Sequence, residues 1–318
     1  MSGAVRIFRS LNEARADFGP SALTVGNFDG VHAGHRRILR RTCEIAAQNG
    51  WKPSVLTFDP HPTRLVAPAR SPRLMTTPEQ RCRLMEQEGI GQVLILPFTE
   101  DIAQMPPEVF VNEVLVNTLG AKAVLVGENF RFGHKHAGDV RLLRELGDRL
   151  GLIIEVVPAV TLRRSFVSSS EIRRLIEAGD LSRAGRLLER PFALEGAVVR
   201  GQGVGKTQTV PTLNLVTLSE VLPAPGVYVT RTEDRDGRSW PSVTNVGYRP
   251  TFGGKELSIE TYLLEGLEGE TPGQIRVEFL RRLRDEKKFE SPEQLKSQIL
   301  RDVRRAQAYF RRVPCHNN

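Results

Sequence analysis

The chain has few cysteines, few aromatic residues and no long apolar run. Three cysteines in 318 residues (Cys43, Cys82 and Cys315) lie far apart, with neither a CxxC pair nor zinc-ligand spacing. Such a sparse set is typical of reduced thiols, so we expect a cytoplasmic protein. No stretch approaches the roughly 18 uninterrupted apolar residues that a membrane helix needs, so we expect no membrane association.

The overall composition is that of an ordinary globular protein. The chain is 40% hydrophobic and 26% charged, and 318 residues are enough for two domains with sizeable cores. The formal net charge is +8, with basic residues spread through the chain. A positive surplus suits nucleic acid, but it also suits small phosphate-rich substrates. Charge alone does not decide between these partners.

The first half of the chain alternates apolar runs with amphipathic segments. The runs SALTVG, PSVLTFD, GQVLILPF, AKAVLVG and LIIEVVP are typical of buried strands bounded by Gly or Pro. The segments between them have helical apolar spacing and mostly stop at a glycine, as at Gly50, Gly89 and Gly120. This alternation predicts a Rossmann-like α/β domain with a parallel sheet.

The pattern changes after Arg190. From Phe192 to about Phe279, short runs of Val, Thr, Tyr and Ile are broken by Gly and Pro, which indicates a β-barrel or sandwich. A capping box at Ser291–Gln294 then begins a C-terminal helix. We therefore expect an α/β domain over residues 1–185 and a β-barrel domain with a C-terminal helix over residues 186–318.

An H-x-G-H motif lies where the first predicted strand turns into a helix. His32 and His35 point the same way from the first helical turn, and Gly34 lets a phosphate approach the backbone. Backbone N–H groups and the positive helix end add to the attraction for an anion. This chemistry suits nucleotidyl transfer, in which charge grows on the phosphates without a covalent intermediate. The alternative is a pair of surface histidines at a helix start.

Four segments together carry a family resemblance. Gly26–His35 closely resembles the signature of the prokaryotic bifunctional riboflavin kinase/FMN adenylyltransferase family, also called FAD synthetase. The segments Thr57–Pro62, Leu125–Gly133 and Val167–Arg173 are similar to further segments of the same family, in the same order. In the last of these, Ser170 replaces the usual threonine and keeps the hydroxyl.

The resemblance implies roles at the first site. His32, His35 and Asn129 would act in catalysis by stabilising charge on the phosphates of ATP. The remaining contacts fall into two groups, an ATP group of Gly26, Phe28, Asp29, Gly34, Ser168, Ser169 and Arg173, and a flavin group of Asp59, Pro60 and His61. His61 could instead be an ordinary loop histidine. Phe130 and Phe132 are expected to be core residues rather than flavin contacts.

A Gly-rich stretch at Arg200–Thr207 looks like a P-loop but lacks the required first glycine, and Pro211 follows where a helix should begin. A Gly-rich flap can still cover phosphates through backbone N–H groups. The family resemblance places Gly201, Gly203, Gly205, Lys206 and Asn214 in ATP binding at a kinase site.

The same resemblance supplies a metal site and a base. Pro211–Asn214 is similar to the family's Pro-Thr-Ala-Asn motif, in which Thr212 and Asn214 would bind Mg²⁺. The segments Asn245–Phe252 and Ser258–Thr261 match further family segments. Glu260 occupies the position of the family's catalytic base. Without the motif, Glu260, Thr212 and Asn214 could simply face solvent from strands.

Two departures from the family pattern concern the kinase. Gln208-Thr209-Val210 stands where the family has Leu-Gly-Phe, and Leu213 replaces the small alanine. The lost glycine restricts the backbone, and the larger Leu213 could crowd the nucleotide. The alternative is an FMN adenylyltransferase with an impaired kinase domain.

The resemblance implies an enzyme that phosphorylates riboflavin to FMN and then adenylylates FMN to FAD. ATP would be the co-substrate of both steps, and Mg²⁺ would be the metal cofactor. The partners would be small molecules, without nucleic acid or membrane, and the protein would be a monomer or weak homo-oligomer. Two other readings remain open. One is an adenylyltransferase for another acceptor, such as nicotinamide mononucleotide or phosphopantetheine, with a non-catalytic second domain. The other is a flavin-sensing or RNA-binding protein.

Overall fold

The computed structural model describes residues 4–163, 165–199, 212–251, 254–267 and 269–313. The predicted kinase contacts Gly201, Gly203, Gly205 and Lys206, and the Gln208–Val210 departure, lie outside these residues. The chain divides into two compact units, Met1–Ser169 and Ser170–Asn318.

A parallel sheet forms the centre of the first unit. Within residues 4–163 its six strands follow the order β1-β4-β3-β2-β5-β6, and every neighbouring pair is parallel. The strands are β1 (Arg6–Phe8), β2 (Ser21–Val25), β3 (Lys52–Asp59), β4 (Gln92–Pro97), β5 (Ala121–Gly127) and β6 (Ile153–Val157). The predicted Rossmann-like sheet is confirmed, and the short edge strand β1 is an addition to it.

Helices connect these strands. They are α1 (Leu11–Arg15), α2 (Ala33–Asn49), α3 (Pro62–Val66), α4 (Pro78–Gln87), α5 (Glu100–Gln104), α6 (Pro107–Val109) and α7 (Val140–Leu150). A π-helix at Phe110–Thr118 continues α6, and 3₁₀ turns cover Pro68–Arg70 and His134–His136. The predicted capping box of α4 is present, because the side chains of Thr77 and Gln80 each accept the other's backbone N–H.

The two faces of the sheet are covered by different helices. Leu143 of α7 and Val111 of the π-helix pack with Val124 on one face. Leu39 of α2 packs with Val55 on the other face. The chain therefore leaves β2 towards one face and β5 towards the other, although these two strands are neighbours. Their carboxyl ends flank the topological switch point, where open α/β sheets bind ligands.

The first unit also contains a small hairpin, β7 (Thr161–Leu162) and β8 (Ser165–Phe166), and α8 (Ser169–Glu177) begins at the junction between the units. The second unit continues with α9 (Leu181–Leu188). The expected domain boundary at 185/186 falls within α9 and stays a prediction.

An antiparallel barrel forms the body of the second unit. Among the described residues, six strands close it in the order β10-β13-β12-β11-β14-β9. They are β9 (Phe192–Val199), β10 (Leu213–Thr217), β11 (Gly226–Asp234), β12 (Ser239–Thr251), β13 (Gly254–Leu263) and β14 (Gln274–Asp285), and α10 (Pro292–Arg312) follows. The predicted barrel with a C-terminal helix is confirmed.

The barrel strands have distinct inner and outer faces. Buried hydroxyls of Thr230, Thr244 and Thr261 bond to one another across β11, β12 and β13 on the inner face. Because side chains alternate along a strand, the neighbouring Val229 and Val243 point outwards, where they pack against Ala306 of α10. The helix is also held by its buried Asp302, which accepts a hydrogen bond from Arg284 Nε at 2.8 Å.

In the described part of the chain, no helix is both long and apolar enough to cross a membrane. Cys43 and Cys82 form no disulfide, and burial raises the pKa of each thiol to about 11. Both are therefore protonated at neutral pH, which makes them poor nucleophiles.

Candidate active sites

Three of the predicted motif segments follow three neighbouring strands of the parallel sheet. Gly26–His35 follows β2, the Asp59-Pro60-His61 segment ends β3, and the turn containing Asn129 follows β5. Because the strands are parallel, all three segments emerge at the same edge of the sheet. The fold therefore brings together segments that are about a hundred residues apart in sequence.

The loop after β2 has an unusual backbone. Phe28 and Val31 both have positive φ, at 51° and 37°, and so does Gly30, at 78°. Side chains disfavour this region, so the conformation persists only where surrounding structure enforces it. Here burial enforces it, since Phe28 and Val31 are 2% and 1% exposed and belong to the core cluster that includes Leu39.

Asp29 is the internal anchor of this loop. Its buried carboxylate accepts hydrogen bonds from the Met75 and Thr76 backbone N–H groups, at 3.0 and 3.1 Å, and from the Thr76 hydroxyl at 3.0 Å. The Gly30 N–H in turn donates to the Thr76 hydroxyl. The Asp29 side chain thus ties the loop to the segment before α4, and its predicted contact with ATP stays a prediction.

The two motif histidines are stacked at the start of α2. Their ring centroids lie 3.6 Å apart with an interplanar angle of 14°. His32 caps the helix, because its Nδ1 accepts the His35 N–H at 3.3 Å, so a neutral His32 ring carries its proton on Nε2. A Cβ at Gly34 would lie 3.2 Å from the His32 ring, which gives a steric reason for the glycine.

The second segment contacts the first. His61 Nε2 lies 3.0 Å from the Asn27 side-chain nitrogen, and His61 Nδ1 lies 2.7 Å from the Thr63 hydroxyl. His61 also caps α3, so its ring is held between the two loops. Asp59 and Pro60 are exposed beside it. This placement argues against a detached loop histidine.

The third segment combines an exposed turn with a core anchor. Asn129 is exposed in a turn that closes when the Phe130 N–H donates to the Gly127 carbonyl. Phe132 is buried in the core and stacks on Phe130, with ring centroids 5.4 Å apart. Phe132 is therefore a core residue as predicted, whereas Phe130 is half-buried and packs against the same core. Together they hold Asn129 at the carboxyl end of β5.

The fourth segment reaches the first through a serine. Ser169 Oγ donates to the Asp29 backbone oxygen at 3.1 Å, and Ser168 directly precedes it. Arg173 lies in α8 and belongs to the second unit. Its predicted contact with ATP stays a prediction.

In the second unit, strand register aligns the predicted kinase residues. Asn214 of β10 is opposite Glu260 of β13, and Glu260 is opposite Asn245 of β12. Directly opposed residues point to the same face of a sheet. The three side chains therefore form a row on the outer face of the barrel, and Thr212 is exposed just before β10.

This row is not a set of solvated strand residues. Asn214 is buried and Glu260 is half-buried. The Ser258 hydroxyl donates to Glu260 Oε1 at 2.9 Å, so the carboxylate is oriented. Leu213 is opposite Thr261 and therefore points to the other face of the sheet. Its bulk is directed away from the Asn214–Glu260 row.

Comparison with known proteins decides the family. The FAD synthetase family model matches residues 14–171, and the riboflavin kinase family model matches residues 188–310. The chain is 35% identical to the bifunctional riboflavin kinase/FMN adenylyltransferase of Pseudomonas fluorescens, over 96% of this chain and 97% of that relative. The chain belongs to the bifunctional riboflavin kinase/FMN adenylyltransferase family.

Other relatives agree with this assignment. The bifunctional riboflavin kinase/FMN adenylyltransferase of Escherichia coli K12 is 33% identical over 91% of this chain and 92% of its own length. A solved structure from Streptococcus pneumoniae, described as a macrolide-efflux protein, has a TM-score of 0.83 at 27% identity and covers 96% of this chain and 99% of its own. That description concerns the other protein, and the resemblance to it supports the fold.

Sequence reasoning missed several residues of the two sites in this member of the bifunctional riboflavin kinase/FMN adenylyltransferase family. Met75 and Thr76 were not identified as site residues, because they bind the Asp29 carboxylate from 46 and 47 positions away in the sequence. Asn245 was within a matched segment but was not singled out, because only the register places it beside Glu260. Arg81 of α4 donates from Nη1 to the Asn27 carbonyl oxygen at 2.6 Å. It had a usable sequence signal, since it shares a helical face with the apolar Met85 four residues later.

Replacing Asp29 with Ala should lower the free energy of unfolding of the first unit by about 3 kcal/mol, because buried donors lose a charged acceptor. Asp29→Asn should cost about 1 kcal/mol, since one oxygen remains. Trp51 lies in the first unit and Trp240 in the second, so Trp51 fluorescence in a Trp240→Phe background would follow the first unit alone.

The exposed Asp101 in α5 provides the matched control, and Asp101→Ala should change the same quantity by less than about 0.5 kcal/mol. Equal unfolding midpoints for Asp29→Ala and Asp101→Ala would contradict the anchoring role.

Proposed function

We propose that the chain makes FAD from riboflavin in two ATP-dependent reactions, each performed by a different unit. The observation that carries this proposal is the order of the two family matches along the chain, FAD synthetase over the parallel-sheet unit and riboflavin kinase over the barrel. The kinase phosphorylates riboflavin to FMN, and the adenylyltransferase joins FMN to the AMP portion of a second ATP, releasing pyrophosphate.

The kinase reaction needs a base, and Glu260 is the proposed one. Riboflavin's primary hydroxyl must lose a proton as its oxygen attacks the γ-phosphorus of ATP, and ADP leaves. The orientation of the Glu260 carboxylate by Ser258 supports this role. Its half-buried position keeps the carboxylate near the protein surface, where a substrate hydroxyl can reach it.

The donors around Glu260 suit a hard cation. Thr212 and Asn214 would supply a hydroxyl and an amide oxygen, and oxygen ligands are what Mg²⁺ prefers. The placement of Asn214 directly opposite Glu260 supports a shared site. A bound Mg²⁺ would neutralise charge on the transferring phosphates. The predicted flap contacts, Gly201, Gly203, Gly205 and Lys206, belong to the same proposed site.

The adenylyl reaction needs no such base, because the phosphate of FMN is already an anion. An FMN phosphate oxygen attacks the α-phosphorus of ATP, the bond to the β-phosphate breaks, and pyrophosphate leaves. We assign His32, His35, Asn129 and Arg173 to stabilising the added charge. The stacked histidines at the N-terminus of α2 support this assignment, since the helix end also attracts an anion.

The remaining ATP contacts would be Gly26, Phe28, Asp29, Gly34, Ser168 and Ser169, and the flavin phosphate would lie near Asp59, Pro60 and His61. The contact of His61 with Asn27 supports a shared pocket for both substrates. We further propose a cytoplasmic monomer or weak homo-oligomer that does not bind nucleic acid.

We favour a functional kinase domain over the alternative in which the departures from the family pattern impair it. Leu213, the departure within the described residues, points to the opposite face of β10 from Asn214. We therefore expect riboflavin phosphorylation to be retained.

Replacing His32 with Ala should lower the rate of FAD formation from FMN about 10²- to 10³-fold, because a donor that stabilises transition-state charge is lost. FMN formation from riboflavin should stay within twofold of the wild type, as measured by chromatography of flavins over time. The exposed His136 supplies the matched control, and His136→Ala should leave both rates within twofold. Equal loss of both activities in His32→Ala would contradict the two-site assignment.

Replacing Glu260 with Gln should have the reciprocal effect. Riboflavin phosphorylation should fall about 10²- to 10⁴-fold because the base is lost. Adenylylation of added FMN should be unchanged. Glutamine keeps an oxygen for the Ser258 hydroxyl, so the local structure should be retained, and the exposed Glu265→Gln is the control. A Glu260→Gln variant that phosphorylates riboflavin at the wild-type rate would remove Glu260 from the mechanism.

A further inference from the structure

Arg81 is a fully buried arginine beneath the loop that follows β2. It lies in α4 and is 1% exposed. Its Nη1 donates to the Asn27 carbonyl oxygen at 2.6 Å and approaches the Thr57 hydroxyl at 3.4 Å. The same carbonyl also accepts a hydrogen bond from the Thr57 hydroxyl at 3.3 Å. The Asn27 carbonyl is therefore held from α4 and from β3 at once.

The guanidinium is not a simple core stabiliser. Its Nε and Nη2 are buried and have no hydrogen-bond partner among the described residues. A buried charge with unfilled donors costs stability, and an apolar side chain of similar volume often fills such a space at lower cost. Burial lowers the pKa of Arg81, while the nearby negative charges of Asp29 and Asp59 oppose this shift.

The contact with Asn27 fixes the orientation of one peptide group. In a trans peptide the carbonyl and the following N–H point in opposite directions. The Asn27 oxygen points towards Arg81 and towards Thr57 on β3, so the Phe28 N–H points away from β3, towards the β5 side of β2. That side is the switch point, and none of the described residues accepts a hydrogen bond from the Phe28 N–H.

The unusual backbone of Phe28 agrees with this orientation. Phe28 has a φ of 51°, so the peptide before it is held in a conformation that a side chain disfavours. The Asn27 side chain meanwhile contacts His61 across the two loops. A change at the Asn27 carbonyl would therefore disturb both the Phe28 N–H and the proposed flavin-side histidine.

We propose that Arg81 is a positioning residue for adenylyl transfer, which holds the Asn27–Phe28 peptide so that the Phe28 N–H faces the phosphates of ATP. This inference rests on the proposed adenylyltransferase function of the first unit. Arg81 acts through Asn27 and Phe28 and touches no substrate itself. Its positively charged guanidinium donates to the Asn27 carbonyl oxygen. A neutral or apolar side chain would lack this contact and would leave the Asn27–Phe28 peptide free to rotate.

The test compares Arg81→Met with Arg83→Met, which makes the same chemical change at an exposed position of the same helix. For Arg81→Met, kcat/KM for ATP in FMN adenylylation should fall about 10- to 100-fold, because a small misplacement of a binding group is enough for such a loss. The KM for ATP should rise at least threefold. Riboflavin phosphorylation by the same preparation should stay within twofold, as should both activities of Arg83→Met.

A structural role would give a different result. Partial unfolding removes active molecules and lowers kcat, but it leaves the KM for ATP unchanged. Trp51 fluorescence in the Trp240→Phe background should show a folded first unit in Arg81→Met. Arg81→Lys, which keeps the charge, should recover at least part of the lost kcat/KM. If Arg81→Met does not fold, Arg81→Gln takes its place with the same thresholds.

Three results would overturn the positioning role: adenylylation within twofold of the wild type, a lower kcat with an unchanged KM for ATP, or no recovery in Arg81→Lys. Failure of the wild-type chain to adenylylate FMN is a separate outcome. It would remove the proposed function itself, whereas an active wild type with an equally active Arg81→Met variant would remove only the role of Arg81.

Discussion

Hydrogen bonds from Met75 and Thr76 converge on the buried carboxylate of Asp29, and the geometry of the first site depends on them. They hold a loop whose backbone has positive φ at Phe28 and Val31, between the end of β2 and the start of α2. The loop leads directly into the stacked motif histidines. A conformation that is costly in isolation is therefore stabilised by burial and by a charged acceptor.

The two proposed sites use carboxylates in opposite ways. In the parallel-sheet unit, Asp29 accepts hydrogen bonds from the protein's own backbone and so serves the structure. In the barrel, Glu260 is half-buried, is oriented by Ser258, and shares a row with Asn214. This difference follows the chemistry, since a hydroxyl nucleophile needs a base and an anionic phosphate does not.

Sequence patterns predicted the elements better than the contacts between them. The strands of the sheet were visible because they are short, apolar and bounded by Gly or Pro, and the H-x-G-H motif was placed correctly where the first of these predicted strands turns into a helix. The π-helix at Phe110–Thr118 was not predicted, because its apolar spacing resembles that of an α-helix. Asn245 was missed as a site residue because strand register sets its partners, which local spacing does not encode. The spacing of Arg81 and Met85 indicates a shared helical face, but the contact of Arg81 with Asn27 is set by tertiary packing.

The most direct test of the account is a time course of the purified wild-type chain with riboflavin, Mg²⁺ and ATP, in which the flavins are separated by chromatography. FMN should appear first and then be converted to FAD, with one ADP released in the first step and one pyrophosphate in the second. Riboflavin that stays unchanged while added FMN becomes FAD would contradict the kinase half of the account. FMN that accumulates without FAD would contradict the adenylyltransferase half.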